Sequence, residues 1–317
     1  MAMSNFCTRI LTSIALIVVF VGIFLLRAFV GDFGLYVFDI VILAAACAAT
    51  WEICYAKKLN DRGANAYIAF IVYGLVYLFF IIGSVALEQK LPWWLQILVS
   101  LIIVGIFALF IGLSNMLDKK FAKECRLQKK NLNHEAWGGA WDLVQVLLYP
   151  GLFFAFAIIL NHLTDNHMGL FGLLLAMFVS CFADIFAYGV GTVLGKGTAK
   201  MAPKISPKKT WVGFIGSLFG GVLGALVATW IISADSAANN YLLQQFGDAW
   251  YVLLTFAVVG LIGAILTAIG DLYASYIKRK AGIKDYSKFL PGHGGVMDRL
   301  DGIIVNIPFI LLIMGII

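Results

Sequence analysis

The feature that most constrains this chain is a series of apolar runs long enough to cross a lipid bilayer. One helical crossing takes about 20 apolar residues. Nine runs meet or approach this length, with approximate bounds 10–30, 34–55, 66–87, 93–116, 143–161, 168–190, 211–233, 250–275 and 302–317. Hydrophobic residues make up 62% of the chain and charged residues only 13%, unlike a soluble domain. We therefore predict an all-α fold, a polytopic transmembrane helical bundle of about nine spans.

The distribution of basic residues predicts how this bundle is oriented. If the N-terminus lies in the cytoplasm, 21 of the 23 Lys and Arg residues fall in cytoplasmic segments, and only Arg27 and Lys90 fall outside. This bias follows the positive-inside rule. The sequence thus predicts a cytoplasmic N-terminus in the cell inner membrane, with the substantial loops, and any site they carry, facing the cytoplasm.

Charge and cysteine content narrow the partners. The net charge is +6, but the basic residues flank spans, so membrane topology and attraction to anionic lipid head groups explain them. We expect the lipid bilayer as a partner and no nucleic acid. The five cysteines form no CxxC pair, which indicates neither a zinc site nor a disulfide framework.

The two halves of the chain differ in character. Residues 1–165 read as an N-terminal transmembrane scaffold whose longest polar stretch, 117–142, is interpreted as an interfacial amphipathic segment. Residues 166–317 are predicted to form the C-terminal transmembrane catalytic region. Residues 180–302 carry Asp184, Asp271, Asp298 and Asp301 in or beside spans. Ionisable groups at membrane depth are costly, which favours a functional interpretation.

The segment 270–302 carries the strongest chemical signal. Asp271, Ser275 and Lys278 share one helical face, and a basic loop with several glycines follows before Asp298 and Asp301. A helical hairpin can bring Asp271 and Asp298 together beneath this loop. Carboxylates with Lys and Arg suit a Mg²⁺–phosphate ligand. The alternative is a solvated loop whose aspartates cap a helix.

A second cluster precedes the glycine-rich span at 211–233. Ser206, Lys208, Lys209 and Thr210 can bind a triphosphate through charge and hydroxyl groups, aided by the start of the next helix. The same residues can instead serve only as a topology anchor. Asp184 is either a further metal ligand or a helix-pairing group.

With these motifs, the sequence resembles the phosphatidate cytidylyltransferase family, also called the CDP-diacylglycerol synthase family. The family signature leaves several places free, and every fixed place is satisfied here. The matching residues are Ser275, Ile277, Lys278, Arg279, Lys284, Asp285, Ser287, Leu290, Pro291, His293, Gly294, Gly295, Val296, Asp298, Arg299, Leu300 and Asp301. The resemblance covers about 180–302 strongly and the N-terminal half in topology only.

The resemblance implies a homodimeric enzyme that transfers CMP from CTP to phosphatidic acid for phospholipid biosynthesis. It implies Mg²⁺ near Asp271 and Asp298, with Asp184 a candidate ligand and K⁺ a candidate second cation. The residues expected to act in catalysis are Asp271, Asp298, Lys278, Arg279 and Arg299. Those expected to bind substrate are Ser206, Lys208, Lys209, Thr210, Ser275, Lys284, Asp285, His293, Gly294, Gly295 and Asp301.

Two rival functions remain open at this stage. A CTP-dependent polyprenol kinase would transfer the γ-phosphate to a lipid alcohol, with Asp301 or His293 as base. A transporter would use the intramembrane aspartates as ion sites. The unbroken signature disfavours the kinase, and the absence of a visible internal repeat disfavours the transporter.

Overall fold

A computed structural model describes residues 5–57, 93–163, 166–287, 289, 292 and 294–316. The predicted span at 66–87 lies outside the described residues, and so do Leu290, Pro291 and His293 of the signature. The helices are α1 (Asn5–Phe29), α2 (Gly31–Ala56), α3 (Trp93–Leu117), α4 (Lys119–Leu127), α5 (Leu132–Val146), a π-helical segment (Leu147–Leu152), α6 (Phe153–Asn161), α7 (Asn166–Val193), α8 (Trp211–Ser233), α9 (Ser236–Phe246), α10 (Ala249–Lys280) and α11 (Met297–Ile316). Two short strands, β1 (Lys200–Ala202) and β2 (Ser206–Thr210), lie between α7 and α8.

Seven segments of the described chain are long and apolar enough to cross a membrane. They are Leu11–Phe29, Gly31–Ala56, Leu132–Asn161, His167–Val193, Trp211–Ser233, Ala249–Lys280 and Met297–Ile316. The span predicted at 93–116 is also helical, as α3, which contains no charged residue. The chain is therefore a largely helical, multi-pass membrane protein, as predicted from the apolar runs. The number of spans and the side on which the N-terminus lies stay predictions.

Two element boundaries and one additional element differ from the sequence-based prediction. The span placed at 143–161 belongs to a helical segment that begins at Leu132, because the Asn131 side chain accepts hydrogen bonds from the backbone of Asn133 and His134. The last span, placed at 302–317, begins at Met297, so Asp298 and Asp301 lie inside its helix. The basic segment before α8 is a β-hairpin, which adds two strands to the predicted all-α fold.

The chain forms two compact units. One unit comprises Met1–Ile42 and Phe156–Ile317, and the other comprises Leu43–Ala155. In the second unit the Lys57 ammonium pairs with the Asp142 carboxylate at 3.0 Å, and α3 packs against α5. The predicted functional division at residue 165 is a separate matter and stays a prediction.

The first unit is built around α7, α8, α10 and α11, each of which packs against at least two of the others. The overlapping GxxxG steps in α8 let two backbones come close, as small residues do in membrane helices. A Cβ atom added to Gly220 would lie 2.4 Å from the Phe182 carbonyl oxygen of α7. Gly270 has the same role between α10 and α11, since its added Cβ would lie 2.4 Å from the Asp301 carbonyl oxygen. This contact places Asp271 of α10 beside Asp301 of α11.

Two buried polar networks tie the spans of the first unit together. The Arg27 guanidinium of α1 donates to the Asn161 side chain at 2.6 Å, and Asn161 donates to the Asp39 carboxylate of α2 at 2.8 Å. In the four-helix core, the Asn306 amide of α11 donates to Ser180 of α7 and Thr267 of α10, both at 2.7 Å. Hydrogen bonds of this kind contribute about 0.6–2 kcal/mol each between membrane helices.

Candidate active site

The β-hairpin positions the second cluster of the sequence analysis. Its strands are antiparallel, with Lys200 opposite Thr210 and Ala202 opposite Ser206. Thr210 then caps α8, because its hydroxyl oxygen accepts a hydrogen bond from the Gly213 backbone N–H at 3.1 Å. The hairpin thus leads directly into the N-terminus of a span and holds Lys208 and Lys209 at that point. The Thr210 side chain, predicted to bind substrate, has a clear structural task here.

A cavity of about 490 Å³ opens between this hairpin and helices α7, α8 and α10. One part of its lining is charged or polar and includes Asp184, Lys208, Lys209, Thr210 and Asp271. Another part is apolar and includes Ala183, Ala187, Phe214, Ala264 and Ala268. The cavity therefore suits ligands that combine anionic groups with apolar chains.

Asp271 belongs to the charged wall and is held there by two side chains. Its Oδ2 forms an ion pair with the Lys209 ammonium at 2.6 Å, and its Oδ1 accepts a hydrogen bond from Ser275, one helical turn later, at 3.3 Å. The predicted shared face of Asp271 and Ser275 is confirmed by this contact. The pair joins the hairpin to α10, so the two clusters singled out in the sequence form one site.

Asp298 is held by three donors. The Lys278 ammonium lies 2.6 Å from Oδ1, and the backbone N–H groups of Tyr286 and Gly295 each donate to Oδ2 at 2.9 Å. Gly294 has a positive φ of +85°, and a Cβ there would lie 3.0 Å from Oδ2. Glycine is thus required at this position for the loop to approach the carboxylate. Asp298 therefore holds the loop before α11 in place, and this role goes beyond capping its own helix.

Three carboxylates influence one another across the site. Asp301 is buried in α11, and it interacts electrostatically with Asp271, Asp184 and Lys278. Asp184 interacts with Asp271, Lys209 and Arg299. Like charges at membrane depth are costly unless cations balance them, and Lys209, Lys278 and Arg299 supply opposing charge here.

The remaining predicted residues occupy the surface around this core. Arg279 donates to the Ile205 carbonyl oxygen of the hairpin at 3.1 Å and to the Ile283 carbonyl oxygen at 3.2 Å. It therefore braces the hairpin turn against the end of α10. Lys284, Asp285 and Arg299 are exposed, Ser206 is half-buried in β2, and His293 lies outside the described residues.

Two residues of this region escaped the sequence analysis. Thr267 lines the cavity one turn before Asp271, and it looked like any polar residue of a span. Tyr286 is 3% exposed, and its ring lies under the Lys278 ammonium. Phe289 of the same loop is also aromatic but is exposed, so no feature of the sequence singles out Tyr286 as the buried ring.

The donor chemistry around Asp271 fits a hard cation. Carboxylate and hydroxyl oxygens are the ligands that Mg²⁺ prefers, and it usually takes one or two carboxylates together with phosphate oxygens. Asp271 and Asp184 both face the cavity. Among the residues that the structure describes, no three His, Cys, Asp or Glu side chains form a ready-made metal site.

Comparison with known proteins gives a consistent result. Residues 7–317 match the cytidylyltransferase family. The phosphatidate cytidylyltransferase of Haemophilus influenzae is 35% identical over 233 residues, which are 65% of this chain and 76% of that protein. The proteins of the same name from Mycobacterium bovis and Aquifex aeolicus are 37% and 36% identical over 162 and 170 residues, or 51% and 53% of this chain. The chain spans about half the length of these two, 46% and 55%.

Proposed function

The chain belongs to the cytidylyltransferase family, and from this premise we propose that it transfers CMP from CTP to phosphatidic acid, giving CDP-diacylglycerol and pyrophosphate. The relatives that carry the name phosphatidate cytidylyltransferase support this choice of substrates. The observation that carries the proposal is the cavity whose charged wall contains both Lys209 and Asp271 and whose other wall is apolar.

The two substrates match the two parts of the cavity. Lys208 and Lys209 present positive charge beside the N-terminus of α8, an arrangement that suits the triphosphate of CTP. Phosphatidic acid carries a phosphate on two acyl chains, and the apolar lining formed by residues such as Phe214 and Ala268 suits the part of the lipid nearest its head group. Both phosphates would then meet beside Asp271.

The reaction needs positioning more than acid–base catalysis. The second pKa of a phosphate monoester is near 6, so the lipid phosphate is largely a dianion at neutral pH. One of its oxygens forms a bond to the α-phosphorus of CTP while the bond to the bridging oxygen breaks and pyrophosphate leaves. Lys208, Lys209, Lys278 and Arg299 are proposed to balance the charge of the reactants and of the leaving group.

We assign the cation to the carboxylates of the site. Asp271 and Asp298 would hold Mg²⁺, with Asp184 as a candidate further ligand and K⁺ as a candidate second cation. When bound, Mg²⁺ neutralises phosphate charge and aligns the reacting groups. Asp298 Oδ2 accepts two backbone N–H groups and Oδ1 accepts the Lys278 ammonium, so a cation that binds Oδ1 would compete with that ammonium.

The setting of the enzyme is also part of the proposal. The positive-inside bias supports insertion in the inner membrane with the site at the cytoplasmic face. Both substrates are available there, because CTP is a soluble cytoplasmic nucleotide and phosphatidic acid is a membrane lipid. A homodimer is proposed from the family resemblance alone.

A pyrophosphate-release assay tests the proposal. Purified protein in detergent is expected to release pyrophosphate only when CTP, phosphatidic acid and Mg²⁺ are all present. Asp271→Asn is expected to lose this activity. Asp248→Asn is a matched control on the same helix, because Asp248 caps the other end of α10 and Asn also caps well. Release of CDP in place of pyrophosphate would reject the proposal in favour of a kinase.

A further inference from the structure

Tyr286 occupies one of the places that the family signature leaves free, yet it is among the most buried residues of the loop that joins α10 to α11. Its side chain is 3% exposed. Its hydroxyl donates a hydrogen bond to the Ala274 carbonyl oxygen at 3.0 Å, in the last turns of α10. This anchor fixes the loop against the helix that carries Asp271 and Lys278.

The ring of Tyr286 is a partner for the Lys278 ammonium. The Lys278 Nζ lies 5.3 Å from the ring centroid, within the range of a cation–π interaction. Lys278 is itself only 8% exposed, so its ammonium is largely out of water and is stabilised by a few protein groups. One of those partners is the ring and another is the Asp298 carboxylate at 2.6 Å.

The backbone of Tyr286 contacts the other member of this pair. Its N–H donates to Asp298 Oδ2, while Lys278 binds Oδ1. Tyr286 therefore contacts both Lys278 and Asp298, the two members of the ion pair.

We infer that Tyr286 is a positioning residue. It keeps Lys278 in place when Asp298 binds a cation, so that the Lys278 ammonium is available to a substrate phosphate. The inference rests on the proposed function. It follows from competition for Asp298 Oδ1, which the ammonium occupies in the structure. A π face stabilises an ammonium without using a carboxylate oxygen, so the ring lowers the cost of releasing Lys278 from Asp298.

Replacing the ring separates this role from general packing. In Tyr286→Leu, Lys278 keeps only Asp298 of these two partners and competes more strongly with the cation. We expect about a tenfold rise in the Mg²⁺ concentration that gives half-maximal rate and about a tenfold fall in kcat. A factor of about ten corresponds to the loss of a partly desolvated cation–π interaction. The KM for CTP is expected to change by less than about twofold, because Lys208 and Lys209 are unchanged in this variant.

Tyr286→Phe is the conservative variant. It keeps the ring and the backbone N–H and loses the hydrogen bond to Ala274. We expect it to stay within about threefold of the wild type in kcat and in the Mg²⁺ requirement. Tyr251→Leu is the matched control, since Tyr251 is an exposed tyrosine at the opposite end of α10. It is expected to behave as the wild type.

A readout that does not involve turnover completes the test. The stabilisation of purified protein by Mg²⁺ alone is followed as a shift in unfolding temperature against Mg²⁺ concentration. The midpoint is expected to move up about tenfold in Tyr286→Leu and to stay near the wild-type value in Tyr286→Phe. If Tyr286→Leu does not fold, Tyr286→Met takes its place, because the flexible methionine side chain can adapt to an irregular gap.

The possible outcomes are distinct. Equal Mg²⁺ midpoints and rates in wild type, Phe and Leu variants would overturn the inference while leaving the proposed function intact. A loss in Phe as large as in Leu would also overturn it, since the ring would then not be the relevant group. A wild type that makes no CDP-diacylglycerol would instead defeat the proposed function.

Discussion

Lys209 and Asp271 form the ion pair that joins the β-hairpin to α10, and they make a residue-scale prediction possible. Lys209→Met removes the partner of Asp271 and one charge from the proposed triphosphate site. A charge-assisted hydrogen bond contributes about 1.5–3 kcal/mol, so we expect kcat/KM for CTP to fall about 10- to 100-fold. Steady-state kinetics at saturating phosphatidic acid measures this.

The hairpin offers its own control for that substitution. Lys204 lies in the same hairpin, is exposed and is absent from the cavity lining. Lys204→Met makes the same change in net charge and should leave kcat/KM for CTP near the wild-type value. If both variants lose activity equally, general charge at the membrane surface would explain the effect, and the specific site would not.

The Lys278–Asp298 pair predicts a separation of stability from activity. Both side chains are largely buried, at 10% and 5% exposure, so removing one member leaves the other without its main charge partner. We expect Asp298→Asn to cost about 3 kcal/mol of stability and to abolish turnover. The double variant Lys278→Met with Asp298→Asn should regain much of the stability and none of the activity. Thermal unfolding and pyrophosphate release together check this, and a double variant that recovers turnover would contradict it.

At the scale of elements, close packing of α7 on α8 sets the width of the cavity. Gly220→Ala would place a methyl group against the Phe182 carbonyl oxygen and force the two helices apart. We expect a loss of at least about 2 kcal/mol, with lower activity, because an overpacked helix interface cannot adjust locally. Gly189→Ala on α7 meets nothing within 4 Å and serves as the control. Unfolding temperatures in detergent measure both, and equal values would contradict the close-packing account.

The elements also show how far the sequence predicts this structure. Hydropathy placed the span at 211–233 where α8 (Trp211–Ser233) lies, because that run is apolar to both ends. It missed the first turn of α11, since Asp298 and Arg299 lower the mean hydropathy although they are helical. It also missed the hairpin, whose strands contain mostly Lys, Ser and Pro and carry no alternating apolar pattern.

The site shows the same division between what is local and what is not. The helical spacing of Asp271 and Ser275 predicted that they share one face of α10, and their contact confirms it. The pairing of Lys209 with Asp271 joins residues 62 positions apart in the sequence, and it depends on how the helices pack. Tyr286 could not be chosen from spacing, because its role comes from a ring folded under Lys278.

At the scale of the whole molecule, the orientation in the membrane is a prediction of its own. The positive-inside bias places the β-hairpin in the cytoplasm and α9 on the opposite side. In a variant without native cysteines, Lys204→Cys should resist an impermeant thiol reagent added to intact cells. Asn240→Cys, an exposed position in α9, should react with it. The reverse pattern would contradict a cytoplasmic site.

The central claim is that this membrane protein moves the α-phosphorus of CTP, with its nucleoside, onto a lipid phosphate. Tracing two labelled forms of CTP through the reaction with phosphatidic acid tests it most directly. With ³²P at the α-position, the lipid fraction should become labelled as CDP-diacylglycerol. With ³²P at the γ-position, the label should appear only in pyrophosphate. Label from the γ-position in the lipid, or from neither position, would contradict the account.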